Sequence, residues 1–256
     1  MPTGLDPKTL MAWRGLLSSW DAWVLTLILV AVVPTLGYRR FRRLPGGGHQ
    51  AVPLRTKLTL YGRIVGAQWL LSTVMLLILR RHGLSAGDAG QRLGDAGLTC
   101  GVTVALLTIL AVVAVIVLRR VRRTQPATLT ATVGRLRGLV PSGGLETAAF
   151  VVVCLTAGVC EEWLYRGWLV NILQAATGST WAAVAAGAIV FGVGHAYQGT
   201  KAMLRTCFVG LQLGVLYVLV GSLIPGQALH AGVDMLVGAA GARAVSRLNG
   251  NTSVVF

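Results

Sequence analysis

The chain has 256 residues, 54% of them hydrophobic and only 12% charged, whereas an average soluble domain carries about 25% charged residues. Several apolar runs reach or approach the roughly 20 residues that cross a bilayer. The composition therefore excludes a soluble globular protein. It predicts an all-α fold, a polytopic transmembrane helical bundle of about seven helices.

The formal net charge is +15, and a strongly basic chain can signal nucleic-acid binding. Here seven basic residues lie between 39 and 63 and six between 119 and 137, which makes 13 of the 23 lysines and arginines. Short basic loops beside membrane spans are typical of the cytoplasmic side. The charge therefore predicts an orientation in the lipid bilayer and no nucleic-acid partner.

The N-terminal part, residues 1–144, predicts three helices and carries no recognised motif. A polar lead-in covers residues 1–19, and the helices cover about 20–38, 58–79 and 98–118. The first apolar run ends in YRRFRR and lacks a small-residue cleavage site. It therefore predicts a retained helix and not a cleaved signal peptide.

The second part, residues 145–247, predicts four further helices, with a break near Gly167 in the first of them. These helices cover about 146–176, 180–197, 201–220 and 226–247. Seven spans place the basic loops and the C-terminus in the cytoplasm and the N-terminus outside. This arrangement raises a problem about depth in the membrane. His195 ends one helix while His230 begins another, yet a shared site needs both histidines at the same depth.

This second part places ionisable residues within its apolar runs: Glu161, Glu162, Arg166, His195, His230 and Asp234. A charge at the centre of a bilayer costs roughly 2.5–3.5 kcal/mol, so such groups face a cavity, pair with one another or carry function. Glu162 and Arg166 stand four residues apart, the spacing of a helical ion pair, and are predicted to form a structural pair. Glu161 points about 100° away from Glu162 and needs a partner from another helix.

His195, His230 and Asp234 are the candidate partners of Glu161, and the group is compatible with two chemistries. In the first, Glu161 and His195 deprotonate a water while His230 and Asp234 support the oxyanion. In the second, the same four side chains hold Zn²⁺ or another divalent ion that polarises the water. Both chemistries hydrolyse an amide, and the residues alone leave the presence of a metal open.

Three motifs follow one another in residues 145–247: EExxxR at Glu161–Arg166, FxxxH at Phe191–His195 and HxxxD at His230–Asp234. In order and spacing they resemble the CPBP family (CAAX protease and bacteriocin-processing, also called Abi) of intramembrane proteases. The resemblance implies an endopeptidase whose Glu161 and His195 activate water. It implies that His230 and Asp234 stabilise the oxyanion or, on the metalloprotease view, ligate a metal. The CAAX enzymes usually carry Asn in place of Asp234.

Two other classes of function compete with the protease. Intramembrane Glu, Asp and His also build the proton relays of coupled transporters, although these six residues form one cluster and not a path. A non-catalytic scaffold or bacteriocin-immunity protein could keep the same fold. The Gly-, Ala-, Val- and Arg-rich composition suggests a bacterium of high genomic GC, and hence the plasma membrane. Membrane-embedded or membrane-associated peptides and proteins are then the expected substrates.

Overall fold

The computed structural model describes residues 7–44, 50, 52–125, 127–129 and 137–250, and within these ranges it contains helices and no strand. The helices of ten residues or more are α1 (Pro7–Leu16), α2 (Trp20–Arg42), α3 (Leu54–Arg81), α4 (Ala96–Arg123), α5 (Gly144–Thr177), α6 (Thr180–Gly194), α7 (Thr200–Val220) and α8 (Ile224–Leu248). The all-α prediction is confirmed. Parts of both predicted basic loops lie outside the described residues.

Five of the described helices, α2, α3, α4, α5 and α7, are long and apolar enough to cross a membrane. Helix α6 is apolar but has only 15 residues, or about 22 Å at 1.5 Å per residue, less than the ~30 Å thickness of the hydrocarbon. These lengths and compositions fit an integral membrane protein. The seven predicted helices correspond to α2 to α8, with bounds that shift by up to about five residues.

The lead-in predicted at the start of the chain contains helix α1, which is part of the core. Trp13 of α1 is fully buried, and its ring packs edge-on against Trp168 of α5 with 5.6 Å between centroids. The indole of Trp168 donates a hydrogen bond of 3.1 Å to the hydroxyl of Thr26 in α2. These contacts tie α1 and α2 to α5.

Helix α5 runs through Gly167 without the predicted break. Residues Trp163–Val170 adopt a π-helix in which all eight residues are buried, and such wide turns are frequent at functional sites. The Gly167 carbonyl accepts a hydrogen bond of 3.0 Å from the Asn171 side chain, so this backbone oxygen has a hydrogen-bond partner. A methyl group on Gly167 would lie only 2.9 Å from the carbonyl oxygen of Ala89. This glycine therefore permits close packing and does not end the helix.

The short helix α6 resolves the problem of histidine depth. Helix α6 is too short for both of its ends to reach the surfaces of the hydrocarbon, and His195 follows its C-terminal end. His230 lies in the second turn of α8. Both imidazoles pack against the ring of Phe191, with centroid separations of 4.8 Å for His195 and 5.8 Å for His230. The two histidines therefore share one level.

Candidate active site

Helices α5 and α8 cross at small residues, and this crossing sets the geometry of the site. A methyl group on Gly158 of α5 would lie 2.6 Å from the carbonyl oxygen of Gln227 and 2.7 Å from the Cβ of Ala231, both in α8. Small residues let membrane helices approach at the level of their backbones. The crossing brings Glu161 and Glu162 of α5 against the first turns of α8.

Glu162 is the most enclosed acidic side chain of the site, with an exposed fraction of 1%. Its Oε1 atom accepts hydrogen bonds from Nη1 of Arg166 at 2.6 Å and from Nδ1 of His230 at 2.8 Å. The sequence predicted the contact with Arg166 but not the contact with His230. Since a carboxylate accepts, Nδ1 of His230 carries a proton and Nε2 faces the opposite side.

Arg166 is also buried and connects three helices. Besides Glu162, it binds the carbonyl oxygen of Gly210 in α7, to which Nη2 donates at 3.1 Å. Its guanidinium lies 4.5 Å from the centroid of the Phe191 ring in α6, a cation–π contact. Arg166 therefore neutralises Glu162 and holds α5 against α6 and α7.

His195 closes α6, and its orientation is fixed by its own helix. Its Nδ1 lies 2.9 Å from the carbonyl oxygen of Phe191. A carbonyl only accepts, so Nδ1 is the protonated nitrogen and Nε2 of the neutral ring keeps a lone pair. The half-buried imidazole also stacks on Tyr197, with 6.0 Å between ring centroids. His195 thus offers a fixed acceptor for a proton.

Glu161 lies on another side of α5 from Glu162 and faces α3 and α8. Its Oε1 atom accepts a hydrogen bond of 2.7 Å from Nε2 of Gln68 in α3. Its Oε2 atom lies 3.9 Å from Nε2 of His230, is buried, and has no hydrogen-bond partner in the part of the chain that the structure describes. Glu161 therefore has one tethered oxygen and one free oxygen.

Asp234 lies one turn after His230 on α8. Its Oδ2 atom is 3.6 Å from Nε2 of His230, and 39% of its side chain is exposed, more than for Glu161 or Glu162. Nε2 of His230 therefore faces two carboxylates, those of Glu161 and Asp234, at the open side of the site.

Residues 143–236 match a family model described as type II CAAX prenyl endopeptidase Rce1-like. We refer to this segment, after that match, as the Rce1-like domain. It contains all three motifs, and at the level of the family it supports an intramembrane protease of the CAAX type. No curated protein and no solved structure was found to match the chain.

The Rce1-like domain brings five of the six predicted site residues into one connected group: Glu161, Glu162, Arg166, His230 and Asp234. His195 joins this group through the ring of Phe191. Among the described side chains, no direct hydrogen bond or ion pair links His195 to Glu161.

Sequence reasoning missed Gln68, which lies outside the Rce1-like domain and belongs to no motif. The expected partners of Glu161 were His195, His230 and Asp234, whereas its direct hydrogen bond is to Gln68. The only available signal was an amide side chain within the apolar run of α3. Such a residue is uncharged and costs less to place in a bilayer than an ionised group, so it did not stand out.

The four proposed ligands do not fit a metal ion. Zn²⁺ needs nitrogen and oxygen ligands that converge at about 2.0–2.2 Å. Nδ1 of His230 is bound to Glu162 and Nδ1 of His195 to a carbonyl, which leaves Nε2 of each ring as the nitrogen that could bind an ion. Within the described ranges, no set of three or more His, Cys, Asp or Glu side chains is arranged to hold an ion.

Proposed function

We propose that the chain is an intramembrane endopeptidase that hydrolyses peptide bonds of membrane-associated proteins or peptides. The observation that carries the proposal is the free Oε2 atom of Glu161, a buried acceptor beside Nε2 of His230. Buried polar atoms are normally satisfied by a partner, and a water at this atom is the nucleophile that peptide hydrolysis needs. The match to an Rce1-like model supports the same class of reaction.

Glu161 is the proposed general base. Its free Oε2 takes a proton from the water while the water oxygen bonds to the carbonyl carbon of the scissile peptide. His195 assists from α6, because its Nε2 has a lone pair that can share the proton. The proton then passes to the leaving nitrogen as the C–N bond breaks. The products are a carboxylic acid and an amine, and Glu161 is ionised again.

His230 is the proposed donor to the oxyanion. Glu162 binds Nδ1 at 2.8 Å, and Asp234 faces Nε2 at 3.6 Å, so a carboxylate is available to each nitrogen of the ring. The imidazolium can then donate its Nε2 proton to the developing oxyanion. In this arrangement an anionic Asp234 supports the oxyanion indirectly, through the cation of His230. Glu162 and Arg166 hold that cation in place.

The expected substrates are membrane-embedded or membrane-associated segments, because the site lies at the end of an apolar helix too short to span the bilayer. We place the chain in a bacterial plasma membrane with its C-terminus in the cytoplasm. Basic residues in the last turns of α2, α4 and the C-terminal helix α8 support that orientation, since the positive-inside rule assigns such ends to the cytoplasmic face. Helix α3, which would end on the other face, also carries two arginines in its last turn.

The test is cleavage of a library of membrane peptides by the full chain in liposomes, with new termini identified by mass spectrometry. Glu161→Gln and His195→Gln are expected to lower the rate about 10²- to 10⁴-fold, the contribution typical of a positioned acid or base. Cys160→Ala is the matched control, because Cys160 is the fully buried neighbour of Glu161. It is expected to cleave at the wild-type rate. Cleavage that survives both site substitutions would overturn the proposal.

Metal removal is a separate arm of the same experiment. Because the side chains of the site are not arranged around an ion, phenanthroline or EDTA is expected to leave the cleavage rate within about twofold of its value without chelator. Loss of activity on chelation, restored by added Zn²⁺, would show that the second chemistry operates and that the oxyanion role of His230 is wrong.

A further inference from the structure

Helix α3 presents a polar face toward α5, made of Lys57, Tyr61, Gln68 and Ser72. The ammonium group of Lys57 lies 2.7 Å from a carboxylate oxygen of Glu146 at the start of α5. The carbonyl of Ser72, about four turns further along α3, accepts a hydrogen bond of 3.3 Å from the indole of Trp163. Contacts on both sides of Gln68 therefore fix α3 against α5.

Between these two contacts, the side chain of Gln68 reaches the active-site carboxylate. Its Nε2 atom donates to Oε1 of Glu161 at 2.7 Å. The orientation of the amide is unambiguous, because a carboxylate accepts and only the NH₂ end of the amide donates. The carbonyl oxygen of Gln68 therefore points away from Glu161. It is buried and has no partner among the described residues.

This hydrogen bond makes the two oxygens of Glu161 different. Oε1 is occupied by Gln68, while Oε2 has no partner and lies nearest to Nε2 of His230. A glutamate on one helix has several free torsions, and without a tether it could turn either oxygen toward the site. The tether leaves a defined atom, Oε2, to receive the proton of the water.

We propose that Gln68 is a positioning residue for Glu161, contributed by a helix outside the Rce1-like domain. The inference rests on the proposed function and adds to it that the active site is completed by the N-terminal helices. Gln68 holds the carboxylate by its charge-assisted hydrogen bond and takes no part in proton transfer. The Rce1-like domain without α3 would contain every motif residue but would leave Glu161 without this direct partner.

The test is Gln68→Met, which keeps the approximate length and volume of the side chain and removes the NH₂ group and the carbonyl oxygen of the amide. We expect kcat to fall about tenfold to a hundredfold, the range for loss of groups that orient an active-site residue. KM should stay at its wild-type value, because a positioning residue acts through Glu161 and does not itself bind the peptide. The melting temperature should fall slightly, since the substitution leaves a carboxylate oxygen of Glu161 without its donor. A merely structural role would lower the melting temperature and leave the kcat of the folded protein unchanged.

Ser72→Ala is the matched control, since Ser72 is one turn away on the same face of α3 and its buried hydroxyl has no hydrogen-bond partner among the described residues. It is expected to keep kcat within about twofold. An unchanged kcat in Gln68→Met would overturn the positioning role. If wild-type cleavage did not depend on Glu161, the proposed function would fail instead, which separates the two results.

Infrared spectroscopy tests the contact without any turnover. The difference spectrum between wild type and Glu161→Gln isolates the carboxylate band of Glu161, and loss of the charge-assisted donor in Gln68→Met should shift that band. Ser72→Ala should leave the band in place. A band unaffected by Gln68→Met would show that the hydrogen bond is absent, and the inference would then be wrong whatever the activity.

Discussion

Helices α3 and α4 have the same length, 28 residues, and both are apolar enough to cross a membrane. In the most apolar 18-residue stretch of α3, 22% of the residues are buried inside the protein. In the corresponding stretch of α4, none is buried. Helix α3 carries a polar face that meets α5. Helix α4 packs closely against α8 where Leu110 lies over Gly232. Both helices are suited to a bilayer, but their surroundings in the protein differ.

The difference follows from what each helix faces. Lipid cannot satisfy a polar side chain, so polar groups in a membrane helix need a partner in the protein. In α3 these partners are supplied by α5 and the chain just before it, as in the hydrogen bond from Lys57 to the carbonyl oxygen of Val140. In α4 an exposed apolar surface is already compatible with lipid. Polar residues of a membrane helix therefore identify its protein-facing side better than hydropathy does.

The largest loss of stability is expected from breaking an ion pair within α5, and it exceeds the loss expected from breaking the ion pair between α3 and α5. Arg166→Met would leave Glu162, 1% exposed, without its guanidinium partner and would free the carbonyl of Gly210. Breaking a buried ion pair costs about 3–5 kcal/mol, and the upper half of that range is expected here. The free energy of unfolding in mixed micelles measures it. A stable but inactive variant would contradict the structural role of Arg166.

The ion pair between Lys57 of α3 and Glu146 of α5 should contribute somewhat less to stability than the pair of Arg166 with Glu162. Lys57→Met leaves Glu146 with the backbone and side chain of Ser142 as remaining donors. We therefore expect a loss of about 3 kcal/mol, the lower end of the range for a broken buried pair. In the double variant Lys57→Met/Glu146→Gln no buried charge is left, so most of the loss should be recovered. A double variant as unstable as the single one would show that packing, and not charge, binds α3.

The sequence predicted those features of the fold that repeat along the chain. The seven apolar runs became α2 to α8, since a run of about 20 apolar residues in a bilayer has no alternative to a helix. Spacing also predicted the contact of Arg166 with Glu162, because residues four apart on a helix are neighbours. Both inferences use interactions within a single helix.

What could not be predicted depends on how different helices pack. The hydrogen bond from Gln68 to Glu161 joins residues 93 positions apart, and no periodicity relates them. The contact of Glu162 with His230 follows from the close crossing at Gly158, and glycine is too common in this chain, with 33 examples, for one to be singled out. The π-helix at Trp163–Val170 likewise arises from packing on all sides.

A smaller effect is expected at the tight contact of α4. A methyl group on Gly232 would lie 2.5 Å from a terminal methyl of Leu110, the flexible end of a side chain that can move toward lipid. Gly232→Ala should therefore cost about 1 kcal/mol, the low end for overpacking. Thermal unfolding in detergent measures the change. Gly158→Ala is the comparison, because its new methyl would meet the backbone of Gln227, which cannot move aside. Its cost should be clearly larger.

The smallest effect should come from the lipid face of α4. Val112 is 57% exposed in the isolated chain, so in a membrane its side chain contacts lipid tails, which are as apolar as the residue itself. Val112→Ala removes two methyl groups from lipid contact and opens no cavity in the protein. The free energy of unfolding should therefore change by less than about 0.5 kcal/mol, as for substitutions away from any packed feature. A loss of 2 kcal/mol or more, measured in the same micelles as Lys57→Met, would mean that α4 buries this face against protein, such as a second copy of the chain. The contrast between a protein-facing α3 and a lipid-facing α4 would then not hold.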